Sequence, residues 1–463
     1  MKVISTARAD RAGAGLADRD ELLADYRLAV RSREASILGR KEVLAGRAPF
    51  GIFGDGKEIA QLALARVCQP GDWRAGYYRD QTWAFATGMS TLGQFFSQLY
   101  TDSTIEADPA SAGRQMSSHF STRILDDAGQ WKAAIAQMNS SSDLTAVASQ
   151  MPRLLGLAYA SKLYRQRPAL ARAASGHSID GNEVAFGSIG NASTSEGLFW
   201  ETMNAAGVLQ VPMVVSVWDD GFGISVPNEL QTVKSSISRA LAGFKPTERS
   251  SGVAIYEVAA SDYPALRSTY ARAAINARTS HVPALVHVTG MTQPLGHSSS
   301  GSHERYKSAE RLRFEIEGDA IVAFRNWLID RGAATASMLD AIAEEERGTV
   351  REAASDAWEH LQQPIRSERD ELLRRLEAVR DEDADAEIPD LIDALARSGE
   401  VSRKVVAGIA QRALFVCRDD PGTAASAVRD FARCYVEDQR KRYRANLYSA
   451  SVDSPMRIGP VAA

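Results

Sequence analysis

Leucine and isoleucine recur at helical spacing between residues 20 and 46, with Asp18 or Asp20 available as a cap. The segment APFGIFGDG breaks that spacing, and KEIAQLALARVC (57–68) restores it as a short apolar helix. QPGD (69–72) reads as a turn, and residues 102–143, rich in Ser, Asp and Gly without a period, predict a long loop. LTAVASQMPRLLGLAYASKLYR (144–165) predicts a mostly apolar helix despite Pro152. Between 182 and 290 the texture changes. Four short apolar runs, NEVAFGSIG (182–190), VPMVVSVWDD (211–220), VAIYEVAA (253–260) and PALVHVTG (283–290), predict buried strands. Helical segments over 195–209 and 261–278 lie between some of them.

Strands alternating with helices predict an α/β fold, a parallel sheet with helices on both faces. Ligands of such sheets sit at the carboxyl ends of the strands. Beyond residue 308 no comparable strand run occurs, so helical arms are expected on either side of one α/β core. The expected division is an N-terminal helical arm over 1–46, an α/β domain over 47–307 and a helical extension over 308–379. An acidic linker, RDEDADAEIPD, follows over 380–390, then a C-terminal arm and extended tail over 391–463.

Composition narrows the function. Lys plus Arg is 54 against 58 Asp plus Glu, so there is no basic field for nucleic acid and no polybasic patch for a membrane surface. Cys68, Cys417 and Cys434 are dispersed and lack CxxC spacing, which excludes a disulfide framework and a zinc ribbon. MKVISTARADRAGAG lacks the apolar run of a signal peptide, and no stretch reaches a membrane span. A cytoplasmic protein is expected.

The richest stretch is 187–227, which reads as strand, small-residue turn, helix, strand and a second, polar turn. A Gly/Ser turn at a helix N-terminus leaves backbone N–H groups facing any anion placed there. Asn191 in the first turn and Asp220 in the second end successive strands, so one βαβ unit brings them together. Two oxygen ligands beside a phosphate site suit a hard cation such as Mg²⁺.

These residues resemble the alpha chain of the thiamine diphosphate (ThDP)-dependent 2-oxo acid dehydrogenase first component. That family carries a GDG-to-NN motif whose Asp and second Asn ligate Mg²⁺ on the cofactor. Here Gly190-Asn191-Ala192 stands for GDG and Asp219-Asp220 for NN, so the acid and the amide have changed places. By the resemblance, Asn191, Asp220 and the Phe222 carbonyl are the metal ligands, and Gly190, Asn191, Ala192 and Ser193 line the diphosphate.

Further segments carry the same likeness. Gly76-Tyr77-Tyr78-Arg79-Asp80 resembles the family's YRD segment, which gives Tyr78 and Arg79 contacts to the diphosphate. Gly113-Arg114-Gln115-Met116-Ser117-Ser118-His119 resembles a segment of the branched-chain members. Ser142 and Leu144 match positions on the diphosphate and pyrimidine sides, and Gly296-His297-Ser298 resembles the loop whose histidine faces the reacting carbon. His297 is therefore the implied catalytic residue. The likeness covers roughly residues 20–365.

The resemblance implies decarboxylation of a 2-oxo acid and acyl transfer to lipoamide on a partner acyltransferase. It also implies a beta subunit that supplies the pyrimidine-binding domain and the catalytic glutamate. Two other readings stay open: an acyloin-forming ThDP carboligase, and a non-catalytic alpha-like structural subunit. Three decoys carry less. Gly54-Asp55-Gly56 is a literal GDG without a preceding strand, and the histidine-serine pairs after Gly176 and Gly296 lack the last glycine of a nucleophile elbow.

Overall fold

The structure, a computed structural model, describes residues 18–443 apart from 127, 174–175, 383–386 and 398. The expected tail from 448 onward, residues 1–17 of the N-terminal arm and positions 383–386 of the acidic stretch lie outside the described residues. The chain divides into two compact units, one up to Ala357 and one from Trp358.

The first unit is an α/β layer structure. Its sheet has six strands: β1 (Trp73–Ala75), β2 (Asn139–Ser140), β3 (Ala185–Gly190), β4 (Met213–Trp218), β7 (Ala254–Ala259) and β8 (Ala284–Thr289). They are ordered β2-β1-β3-β4-β8-β7 and every pairing is parallel. A separate antiparallel ribbon joins β5 (Phe222–Gly223) to β6 (Val226–Pro227).

All four expected strands are present, and alternate side chains divide between two cores. On β3 and β4, Phe186, Val214 and Trp218 pack into a core shared with the helices Glu58–Ala65 and Tyr263–Ser280. Ala185, Ile189, Met213, Val215 and Val217 pack into the opposite core with the helices Gln150–Gln166 and Gly197–Leu209. Burial on both faces explains why these strands read as continuous apolar runs.

The two strands the pattern did not reveal, β1 and β2, are short and polar. Arg74 in β1 and Asn139 in β2 are fully buried, and each is held by hydrogen bonds. Pro152 falls in the first turn of its helix, where no backbone N–H is needed. The helix Arg19–Leu44, capped by the Asp18 carboxylate, is tied by Arg27 to the buried Glu346 at 2.7 Å.

The second unit is helical. The helix Ala336–Glu382 crosses its boundary, and Ile388–Ala396, Arg403–Val416 and Thr423–Tyr443 complete it. Leu372, Leu376, Ile388, Leu395, Val406, Ala410 and Val428 form its own core. Among the described residues no helix is long and apolar enough to cross a membrane.

Candidate functional site

Parallel pairing sets the ends of β3 and β4 level, with Gly190 opposite Trp218. The turn that follows β3, Ala192–Ser195, leads into the helix Gly197–Leu209, and the turn after β4 carries Asp219 and Asp220. The two turns meet at Asn191 and Phe222: Asn191 Nδ2 donates to the Phe222 carbonyl at 3.2 Å. Small residues make the approach possible. A Cβ on Gly223 would lie 2.4 Å from that of Ala192.

Arg79 is buried at the mouth of this region. It donates to the Phe53 carbonyl at 2.6 Å, to His297 Nδ1 at 3.1 Å and to the His297 carbonyl at 3.0 Å. Its guanidinium also lies over the Tyr78 ring, 5.2 Å from the centroid. Arg79, Asp220, Phe222, Gln293, His297 and Tyr306 line one small cleft. Burial and the Arg79 charge push the His297 pKa down to about 4.

Sequence reasoning missed a second cation. Lys57, 1% exposed, donates to Asp220 Oδ2 at 3.0 Å, to the Thr292 carbonyl at 2.6 Å and to Gln293 Oε1 at 2.8 Å. Burial lowers its pKa, and Asp220 opposes that fall. Burial raises that of Asp220, but Lys57 and Arg79 outweigh it and leave the carboxyl below its ordinary value. The signal was a lone lysine opening an apolar helix, next to the literal GDG. Asp55 of that GDG is structural: it accepts from Gln293 Nε2 and from the Leu295 amide, both at 2.8 Å.

Asp219 fixes the second turn. It accepts from His287 Nε2 at 2.8 Å, from the Gly221 amide at 2.8 Å and from Asn228 Nδ2 at 2.8 and 3.1 Å. Ser142 falls just after β2, where it lines a separate cleft with Arg114, Gln115, His119 and Asp143. Leu144 is exposed at the surface. Ser178, of the first decoy pair, is buried and donates to Glu183 at 2.7 Å.

The arrangement offers an anion Arg79, the small-residue turn and a helix N-terminus, a donor set that fits a diphosphate. It does not fit Mg²⁺ as arranged. Asp220 Oδ1 accepts from the Phe222 amide at 3.1 Å and Oδ2 from Lys57, while the Phe222 carbonyl accepts from Asn191.

Comparison with known proteins decides the family. The dehydrogenase E1 component family matches residues 26–366. The chain belongs to that family. It is 27% identical over 315 residues to the 2-oxoisovalerate dehydrogenase subunit alpha of Bacillus subtilis, covering 68% of this chain and 83% of that relative. It is 23% identical over 314 residues to the pyruvate dehydrogenase E1 component subunit alpha of Acholeplasma laidlawii, covering 68% and 77%. A 3-methyl-2-oxobutanoate dehydrogenase subunit alpha of Mycobacterium tuberculosis is 28% identical over 193 residues, covering 41% and 50%. The E1 match ends near the boundary between the two units, so the helical unit from Trp358 lies almost wholly beyond it.

Proposed function

We propose that the cleft at the carboxyl ends of β1, β3 and β4 holds the diphosphate end of ThDP. The chain is the alpha-type component of a ThDP-dependent 2-oxo acid dehydrogenase. The observation that carries the site reading is that Arg79, His297 and Phe222 line one cleft and that Asn191 of the Gly190–Ser193 turn is hydrogen-bonded to Phe222. Bound ThDP supplies the carbon nucleophile and electron sink for decarboxylation.

Each residue then has a defined task. Arg79 and the N–H groups of Ala192 and Ser193 bind the diphosphate, and Tyr78 holds the guanidinium in place by stacking. Because Arg79 only donates, His297 accepts at Nδ1 and carries its proton on Nε2. With the cofactor bound, a ring held neutral near pH 7 would supply a hydrogen-bond donor at Nε2 without adding a charge. By the family resemblance Ser142 belongs to the diphosphate side and Leu144 to the pyrimidine side, although Ser142 lines a cleft apart from that of Arg79 and His297.

An alpha-type chain works with a beta partner. We assign to that partner the pyrimidine-binding domain and the catalytic glutamate, and to a lipoyl acyltransferase the role of acyl acceptor. The relatives' names favour a branched-chain 2-oxo acid or pyruvate as substrate.

Native mass spectrometry of this chain co-purified with its beta partner, in ThDP, tests the reading. The expected result is one ThDP per alpha–beta pair and 2-oxo acid-dependent reduction of lipoamide. A cofactor-free alpha homodimer at saturating ThDP overturns it. Acyloin formation in place of lipoamide reduction assigns the carboligase reaction instead.

A further inference from the structure

We propose that Lys57 is a tethered cation standing in the divalent ion's position at Asp220, so that the site holds the ThDP diphosphate without a metal ion. The inference rests on the cofactor reading above and deepens it.

The charge of Lys57 follows from its partners. Nζ faces three acceptors at 2.6–3.0 Å, namely Asp220 Oδ2, the Thr292 carbonyl and Gln293 Oε1. The Gln293 amide is oriented by its own Nε2, which donates to Asp55, so an oxygen and not a nitrogen faces the lysine. Three acceptors need three N–H donors. A neutral amine has only two, and an ammonium has three. A lysine buried to this degree is rare without a paired carboxylate, and Asp220 is that carboxylate.

The same donor logic runs through the neighbouring amides. Asn228 donates from Nδ2 to both oxygens of Asp219, so its Oδ1 faces Asn191 Nδ2 at 2.6 Å. Asn191 therefore turns its NH₂ group, and not its oxygen, toward the Phe222 carbonyl. Asp219, standing where the family carries an amide, sets the direction of this chain. A metal at this point would meet N–H groups already on both Asp220 oxygens and on the Phe222 carbonyl. Mg²⁺ demands near-ideal octahedral oxygen geometry at about 2.1 Å, so it would have to displace a buried ammonium and reverse two amides. Arg79 and Lys57 would repel it throughout.

Isothermal titration of the alpha–beta complex with ThDP tests the proposal, in EDTA and again with Mg²⁺. For the wild type, affinities within about 3-fold of each other are expected. For Lys57→Gln, which keeps a polar side chain and removes the charge, affinity in EDTA should fall at least about 10-fold. Added Mg²⁺ should restore it, and Mn²⁺ electron paramagnetic resonance should then count one bound ion per site in the variant and none in the wild type. Wild-type binding that requires Mg²⁺ overturns the proposal, as does a Lys57→Gln complex that binds ThDP normally in EDTA. If the variant does not assemble, the wild-type comparison decides alone. Wild-type complex that takes up no ThDP under either condition overturns the cofactor reading itself, and this inference with it.

Discussion

One terminal nitrogen of Arg79 holds His297 twice, at the ring Nδ1 and at the residue's own carbonyl oxygen. A guanidinium cannot accept, so the ring tautomer is set by the same group that is proposed to bind the diphosphate. Cofactor affinity and histidine protonation are thereby coupled. Replacing Arg79 with Gln should raise the His297 pKa toward the ordinary value near 6.5, because a repelling charge is removed. ThDP affinity should fall about 10- to 100-fold, the usual effect of deleting a charged hydrogen-bond donor. Histidine-selective ¹⁵N NMR titration and calorimetry check the two effects separately. An unchanged titration in Arg79→Gln would break the coupling.

The depressed His297 value also has a consequence for acid stability. Its pKa is about 4 in the folded chain against the ordinary value near 6.5, so the unfolded state binds more protons between those limits. The stability conferred by a neutral ring is complete above pH 6.5 and is lost as pH falls toward 4. His297→Gln has no ring to titrate and should lose part of that slope. After allowance for the ring's partial exposure, the difference should amount to about 1–2 kcal/mol across the window. Melting temperatures of the two proteins measured at pH 7.5, 5.5 and 4.5 give the comparison. Parallel curves would contradict the assigned state.

Gly54 and Gly56 flank Asp55 and let two backbone carbonyls approach closely. A Cβ on Gly54 would lie 2.3 Å from the Arg79 carbonyl oxygen, and one on Gly56 would lie 2.0 Å from that of Thr292. Both obstacles are backbone, so neither can swing aside. Gly54→Ala should therefore shift Arg79 and weaken ThDP binding at least about 10-fold, since sub-ångström misplacement in a preorganised site is costly. Gly243→Ala serves as the control, because neither its φ nor that of Gly54 is positive and it has open space around it. Equal ThDP affinity in both variants would show that the contact at Arg79 has no bearing on the site.

The strands and the turn chemistry were legible because both follow short-range rules. β3 and β4 are mostly apolar apart from the buried Ser188 and Ser216, as suits strands covered on both faces, and Asn191 and Asp220 follow their carboxyl ends. β1 and β2 were hidden because their burial is electrostatic. Arg74 and Asn139 look like loop residues until the partners that neutralise or saturate them are known, and those lie up to 69 positions away. Lys57 was hidden for the same reason. Its carboxylate partner is 163 residues on, and a lysine opening a helix ordinarily faces water. The literal GDG was set aside as a decoy, and its aspartate contacts Gln293 and the Leu295 amide instead of the expected ligand positions.

Arg74 gives the sharpest test of this electrostatic burial. The guanidinium is fully buried and donates to Asp80 at 2.7 and 3.1 Å, to Asp143 at 2.9 and 3.0 Å and to Ser140 at 2.8 Å. Asp80 in turn receives the Ser188 hydroxyl, the Tyr77 amide and the Trp218 indole, so the cluster stitches β1 and β2 to β3 and β4. Burial pushes the Asp80 pKa up, and Arg74 is the main force holding it down. Arg74→Met leaves two buried carboxylates without their cation and should cost about 3–5 kcal/mol. Asp80 should then take up a proton, so the loss shrinks as pH falls, the opposite direction to the His297 effect. Asp143→Asn leaves Arg74 paired with Asp80 and should cost less. Thermal denaturation of the two variants at pH 7.5 and 5.5 separates them. An Arg74→Met deficit that is independent of pH would mean that lost packing, and not unpaired charge, is what Arg74 prevents.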